Sequence, residues 1–342
     1  MRRTIVASLG LALTLTFGCK PPATGPLPLC SSEVEGGEAS ETQSNDVPPE
    51  IWFTIILKSF NLKTGEVTRP TLDCTSKPLE VQDEEVALCI RPENPSPALP
   101  PRALNGDEDL ELIGLEEGKA LVWVRTEYFE NGDALGPIAV AEYRKNGIAV
   151  RAIGPLRANP NRVRMRLEQM GETSVLVVES MVCPPEDTSK CARVMRIIPH
   201  EGSRFVERPL LDDETDECLG AATFPLSHWE EIEREDGIIR RFELVRTIKF
   251  DEGAVVVNEQ VTIKDIDPEQ PDAPPAVFRK AQIERALQLE GGGIRTTQPL
   301  WERMMAEHGS VQVKAHHPDG KGKGKDEETE AGEDAAEAEA AG

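Results

Sequence analysis

Carboxylates and cysteines are the residues of this chain whose types and spacing could do chemistry. Its 342 residues hold 61 Asp and Glu against 38 Lys and Arg, with seven cysteines at Cys19, Cys30, Cys74, Cys89, Cys183, Cys191 and Cys218. The acids crowd into two runs, Asp212-Asp213-Glu214-Thr215-Asp216-Glu217 and Asp265-Ile266-Asp267-Pro268-Glu269. Calcium takes several oxygens from closely spaced carboxylates, so a weak divalent cation would sit in these loops if anywhere. Neither run has the glycine that lets an EF-hand loop turn on itself, and Pro268 stiffens the second. Solvated acid is therefore the simpler expectation.

Other reactive groups are sparser. His316 and His317 are the only adjacent imidazoles and suit adventitious metal binding at most, while His200 and His228 read as surface residues. No Gly-x-Ser-x-Gly elbow occurs, and the alternating Gly320 to Lys325 lacks the hydroxyl of a phosphate loop. Paired carboxylates for hydrolysis are singled out by no spacing, which leaves a hydrolase as a minor alternative. The formal charge of -23 and pI of about 4.7 disfavour nucleic acid, whose phosphates need clustered Lys and Arg. No cofactor is implied, and the expectation is not an enzyme.

The compartment is written in residues 1–19. Arg2 and Arg3 form a positive start, Ile5 to Leu15 an apolar run too short for a permanent membrane helix, and Thr16-Phe17-Gly18-Cys19 a cleavage site. This is an export signal, and exported proteins normally pair their thiols. The Gly18-Cys19 junction resembles the lipobox of bacterial lipoproteins. That resemblance implies cleavage before Cys19, acylation of Cys19 and membrane attachment through it. Lys20, and not Asp, follows the cysteine, which in this family implies the outer membrane.

With Cys19 acylated, six cysteines remain for three disulfides. Cys183 and Cys191 flank the turn-rich Pro184 to Lys190 between two strand-like runs, which predicts a hairpin-end bridge. Cys74 and Cys89 bracket Pro78 and an acidic turn, which predicts a second; Cys30 with Cys218 follows by elimination.

The elements that must position these groups read as strands. Residues 19–50 are rich in Pro and Glu and predict a disordered tether. Trp52 to Leu57 and Val67 to Leu72 predict an N-terminal hairpin subdomain over 51–91, and the prolines of 92–109 a connection. From 110 to 309 a four-strand pattern repeats: Leu110 to Ile153, then Val163 to Glu207 displaced by roughly fifty residues, then Phe242 to Thr297. Such meanders predict an all-β antiparallel body, either a propeller-like stack or a β-sandwich. Two short helices are expected, one from the capping box Ser227-His228-Trp229-Glu230 and one over Trp301 to His308, stopped by Gly309. Trp52, Trp123, Trp229 and Trp301 are expected in the core. Residues 310–342 read as a charged, disordered tail.

Anchor, tether and repeats, with no catalytic signature, point to a lipid-anchored cell-envelope protein. Its β-rich domain would serve protein interaction or scaffolding with an unknown envelope partner. The alternative is a calcium or small-ligand binding protein of the same compartment.

Overall fold

The computed structural model describes residues 27–33, 47–79, 96–144, 147–182 and 191–309. In chain order its strands and helices are β1 (Cys30–Glu33), α1 (Pro49–Ile56), β2 (Phe60–Asn61), β3 (Glu66–Val67), α2 (Gly106–Asp109), β4 (Leu110–Gly114), β5 (Lys119–Val124), β6 (Glu127–Tyr128), β7 (Ala134–Arg144), β8 (Gly147–Ala158), β9 (Arg164–Met170), β10 (Thr173–Val182) and β11 (Ala192–Glu201). They continue with β12 (Arg204–Phe205), β13 (Pro209–Asp212), β14 (Cys218–Ala221), β15 (Thr223–Pro225), β16 (Ser227–Glu233), β17 (Ile239–Asp251), β18 (Ala254–Ile266), β19 (Ala276–Glu290), β20 (Gly293–Thr296) and α3 (Leu300–His308). The fold is all-β with three helices, built from two curled half-barrel sheets.

The three sequence repeats are three antiparallel meanders, β4-β5-β7-β8, β9-β10-β11-β12 and β17-β18-β19-β20. They do not stack as separate blades. The first two fuse edge to edge in one eleven-stranded sheet, ordered β4-β5-β7-β8-β12-β11-β10-β9, because β12 pairs parallel to β8. At this junction Gly154 is required: a Cβ there would stand 2.5 Å from the Phe205 carbonyl oxygen. The third meander forms a seven-stranded sheet ordered β14-β13-β20-β19-β18-β17-β16, with β13 parallel to β20. Segment 204–212 thus lends β12 to one sheet and β13 to the other, joining them.

Inward parity along each strand builds four apolar clusters. Leu121, Trp123, Ile138, Leu156, Leu176 and Ile198 fill the hollow of the large sheet. Its outer face packs against Trp52, Phe53, Ile55 and Ile56 of α1. Val175, Val177, Ile197, Phe224, Val257 and Leu287 lie between the two sheets. Leu300 and Met304 of α3 cover Phe242, Leu244, Val261 and Ile263 of the small sheet.

Several sequence expectations are corrected. Trp52 to Leu57, expected as a strand, lies almost wholly in α1: Pro48 and Pro49 start the helix, and its buried residues Trp52, Phe53, Ile55 and Ile56 lie on the sheet. A short run apolar on nearly every residue carries no period to tell helix from strand. Ser227 to Glu230, expected as a helix, is β16, because Ser227 to Glu233 finds seven backbone partners on β17. Non-local pairing outweighs a local cap there. Trp229 is consequently on the outer face and 53% exposed, not in the core. Part of the stretch expected as tether, Cys30–Glu33, is β1 and pairs with β8.

The disulfides differ too. Cys30 bonds Cys74, with Cα atoms 6.1 Å apart, replacing both the expected Cys74–Cys89 and Cys30–Cys218 pairings. The reason is topological: β1 docks on β8 beside α1, and both Cys30 and Cys74 pack on the α1 cluster. Cys191 and Cys218 are each in a disulfide as well. Cys19, Cys89 and Cys183 lie outside the described residues, as do most of the expected tether and the 310–342 tail.

Candidate functional site

The acidic loops, expected as solvated acid with a weak cation as the alternative, are exposed over Asp213 to Glu217 and use several of their carboxylates in local bonds and ion pairs. Asp212 Oδ1 accepts from the Glu214 and Thr215 amides, each at 3.0 Å, which makes the first run a closed turn. Asp216 pairs with Arg295 at 2.5 Å. In the second run Asp265 takes a bidentate pair from Arg240, at 2.8 and 3.0 Å, and Asp267 accepts from the Glu269 amide. The Arg240 guanidinium outweighs partial burial and holds the Asp265 carboxyl below its ordinary range. Among the described residues no group of three or more His, Cys, Asp or Glu is placed to hold a metal ion.

The histidines are likewise built in. His200, expected on the surface, is half-buried in β11 against Phe205, and burial pushes its pKa down. His228 stands on β16, exposed, with its ring 5.0 Å from that of Trp301. His316 and His317 lie outside the described residues.

Three buried carboxylates organise polar networks that sequence reasoning missed. Asp109 closes α2 by accepting from the Asn105 amide at 2.6 Å, from Tyr128 Oη at 2.5 Å and from both Arg102 terminal nitrogens. Burial first, and then the bond to Asp109, push the Tyr128 hydroxyl pKa up to about 12. Asp73 folds its own loop by accepting from the Thr75 and Lys77 amides and binds Arg204 of β12. The disulfide-tied N-terminal loop is thereby fastened to the junction between the first two meanders.

The third network lies inside the small sheet. Arg246 of β17, Glu259 of β18 and Arg285 of β19 are neighbours across three strands, and all three are buried. Glu259 Oε1 receives Arg246 Nε and Arg285 Nη2, each at 2.7 Å, while Oε2 receives the Leu300 amide at the start of α3. Burial alone would raise the Glu259 carboxyl, but Arg246 and Arg285 outweigh it and hold it below its ordinary range. Arg285 also donates to the Thr296 hydroxyl and the Thr297 carbonyl, and Arg246 to the Pro225 carbonyl. This triad registers strands and caps a helix. Its signal in the sequence was parity: Glu259 interrupts the inward series Val255, Val257, Val261, Ile263, and Arg246 follows Phe242 and Leu244.

Among the described residues an open cleft of about 990 Å³ lies at the seam of the large sheet. β4 and β9 are that sheet's two end strands. Gly114 and Leu115 line one side of the cleft and Leu167, Glu168 and Gln169 the other, while the Phe250–Gly253 turn between β17 and β18 also lines it. Ile113 and Leu115 from one edge, and Val163 and Leu167 from the other, pack against the same interior core. The large sheet thus nearly closes around its core and stops short at this seam.

Backbone geometry leaves the β4 edge ready to pair. The Leu115 amide bonds to the Lys119 carbonyl and the Arg125 amide to the Asp109 carbonyl. Odd residues of β4 therefore face β5, and the amides and carbonyls of Leu110, Leu112 and Gly114 point outward. On the β9 side the Gly171 amide already donates to the Gly253 carbonyl at 2.7 Å. Five carboxylates, Glu116, Glu117, Glu168, Asp251 and Glu252, face one ammonium, Lys119, around the cleft. Lys119 is held by Glu117 and Glu168 by Arg166, each at 2.7 Å, so Glu116, Asp251 and Glu252 have no ionic partner among the described residues.

No protein-family model matches this chain, and neither the curated proteins nor the solved structures returned a match.

Proposed function

We propose that the chain is a lipid-anchored protein of the cell envelope, held to the outer membrane through acylated Cys19, whose β-rich body is a non-catalytic protein-interaction module. The observation that carries this reading is the use of cysteine. Cys30 bonds Cys74, and Cys191 and Cys218 are each in a disulfide as well, the usage expected of a chain that matures in an oxidising compartment beyond an export signal. The polar networks support the module part: the buried carboxylates cap, pair and fasten strands, which is architecture and not acid–base chemistry. Among the described residues the β4 edge is an exposed feature with unused bonding capacity.

Mass spectrometry of the mature N-terminus tests the anchor. Cleavage before Cys19 with acylation of Cys19 is expected, and Cys19→Ala should release the protein from membranes. An unmodified Cys19 in a membrane-free fraction would overturn it. Crosslinking in intact cells followed by pull-down tests the module: a specific envelope protein should be recovered with the full chain, and recovery of none would sink the interaction reading.

A further inference from the structure

We propose that the seam between β4 and β9 receives an extended segment of a partner protein, one alternating apolar with Lys or Arg residues, which enters as an added β-strand. The inference rests on the interaction reading above and names the partner's chemistry and the place it docks. Three observations converge on it. An unpaired edge carries outward N–H and C=O groups at Leu110, Leu112 and Gly114, the template for strand addition. The space of about 990 Å³ at the Gly114 end of that edge is bounded by the two ends of one curled sheet. Its lining combines Leu115 and Leu167, continuous with the interior core, with a rim of carboxylates of which Glu116, Asp251 and Glu252 lack an ionic partner among the described residues.

The physics sets the partner's pattern. In an added strand, successive side chains point to opposite faces. One set would extend the apolar contact made by Ile113, Leu115 and Leu167, which selects aliphatic residues. The other set would face the acidic rim, which selects cations and repels acidic segments, so charge supplies discrimination and encounter rate while the backbone supplies affinity.

The probe is a fluorescent acetyl-(Val-Lys)4-amide peptide, titrated by anisotropy into the full-length chain in detergent. Saturable binding is expected. It should weaken about tenfold or more when alternate peptide amides on one edge are N-methylated, a change that removes backbone donors and keeps the charge. (Val-Glu)4 should not bind. Gly114→Pro removes an outward amide at an edge position where proline is tolerated and should abolish binding with the melting temperature kept. Should that variant fail to fold, the N-methylated peptide against the unaltered protein still decides. Glu116→Lys with Asp251→Lys should weaken binding and admit (Val-Glu)4. Equal binding of methylated and unmethylated peptides would overturn the proposal by reducing it to general charge attraction. Absence of binding, self-association of the chain through this seam, or binding that appears only after removal of residues 314–342 would overturn it as well. Each of these failures leaves the anchor and pull-down results standing, so the seam can fail without the wider reading.

Discussion

The two sheets bury the inner face of a long antiparallel meander with different chemistry. The large sheet curls around a hollow filled by Leu121, Trp123, Ile138, Leu156, Leu176 and Ile198, and its stabilisation scales with the apolar area removed from water. The small sheet is longer-stranded, with thirteen residues in each of β17 and β18, and places Arg246, Glu259 and Arg285 where aliphatic side chains would otherwise stand. An apolar core tolerates rearrangement if volume is kept, whereas a charged triad fits one register and helix position. The large sheet remains open at its seam; the small sheet is locked beneath α3. Both sheets have end strands, β4 and β9 in one and β14 and β16 in the other; what the large sheet adds is a cleft bounded by both of its ends.

The sharpest way to break this contrast is Glu259→Leu. It leaves two guanidinium groups buried without a counter-charge and uncaps α3, so a loss of about 3–5 kcal/mol is expected by chemical denaturation. Replacing Arg246, Glu259 and Arg285 together with aliphatic residues of similar size should recover most of that loss. Failure to recover would show that the triad supplies net stability in addition to register. In the large sheet Leu156→Ala should cost about 2–5 kcal/mol through cavity formation, with no pH component.

A smaller effect, about 1–3 kcal/mol, is expected for Gly154→Ala, which forces β12 away from β8 and loosens the junction of the first two meanders. Acid should weaken both sheets, because Glu142, Glu179 and Glu201 of the large sheet are held below their ordinary range by arginine partners as well. The folded pKa values of Glu259 and Asp265 are depressed, so their contribution is fully present above the ordinary values of 4.5 and 3.8 and is lost as pH falls through the folded ones. Stability should therefore fall as pH drops below about 4.5, and Glu259→Gln should show a shallower fall than the unaltered chain. Parallel pH profiles would refute the assignment. The smallest effect belongs to Trp229→Ala: with half its surface exposed and Arg241 5.4 Å over its ring, a change within about 1 kcal/mol is expected in thermal melts.

Much of the fold was legible because alternation survives in a single sequence. Leu110 to Leu115, Ser174 to Ser180 and Ala254 to Ile263 alternate or run apolar between turn residues, and each is a strand in the structure. Trp301 to His308 with Gly309 was readable as a helix because its stop signal is local. Of the candidate site nothing was singled out in the sequence: the acidic runs named there, 212–217 and 265–269, do not line the cleft. That β4 and β9 become the two ends of one sheet depends on β12 choosing β8 as a parallel neighbour, and no local signal encodes that choice.

By itself the sequence determined the all-β class, the strand periods and the three-unit repetition, because each is a property of residues close along the chain. Tertiary structure alone decided that Cys30 meets Cys74, that a good helix cap at Ser227 yields to strand pairing, that Arg246, Glu259 and Arg285 share a buried site, and that the large sheet ends in an open seam. The triad contacts join residues 13 and 26 positions apart and the disulfide residues 44 apart, separations that local pattern does not span. Their free energy belongs to pairing and packing partners that local pattern does not name.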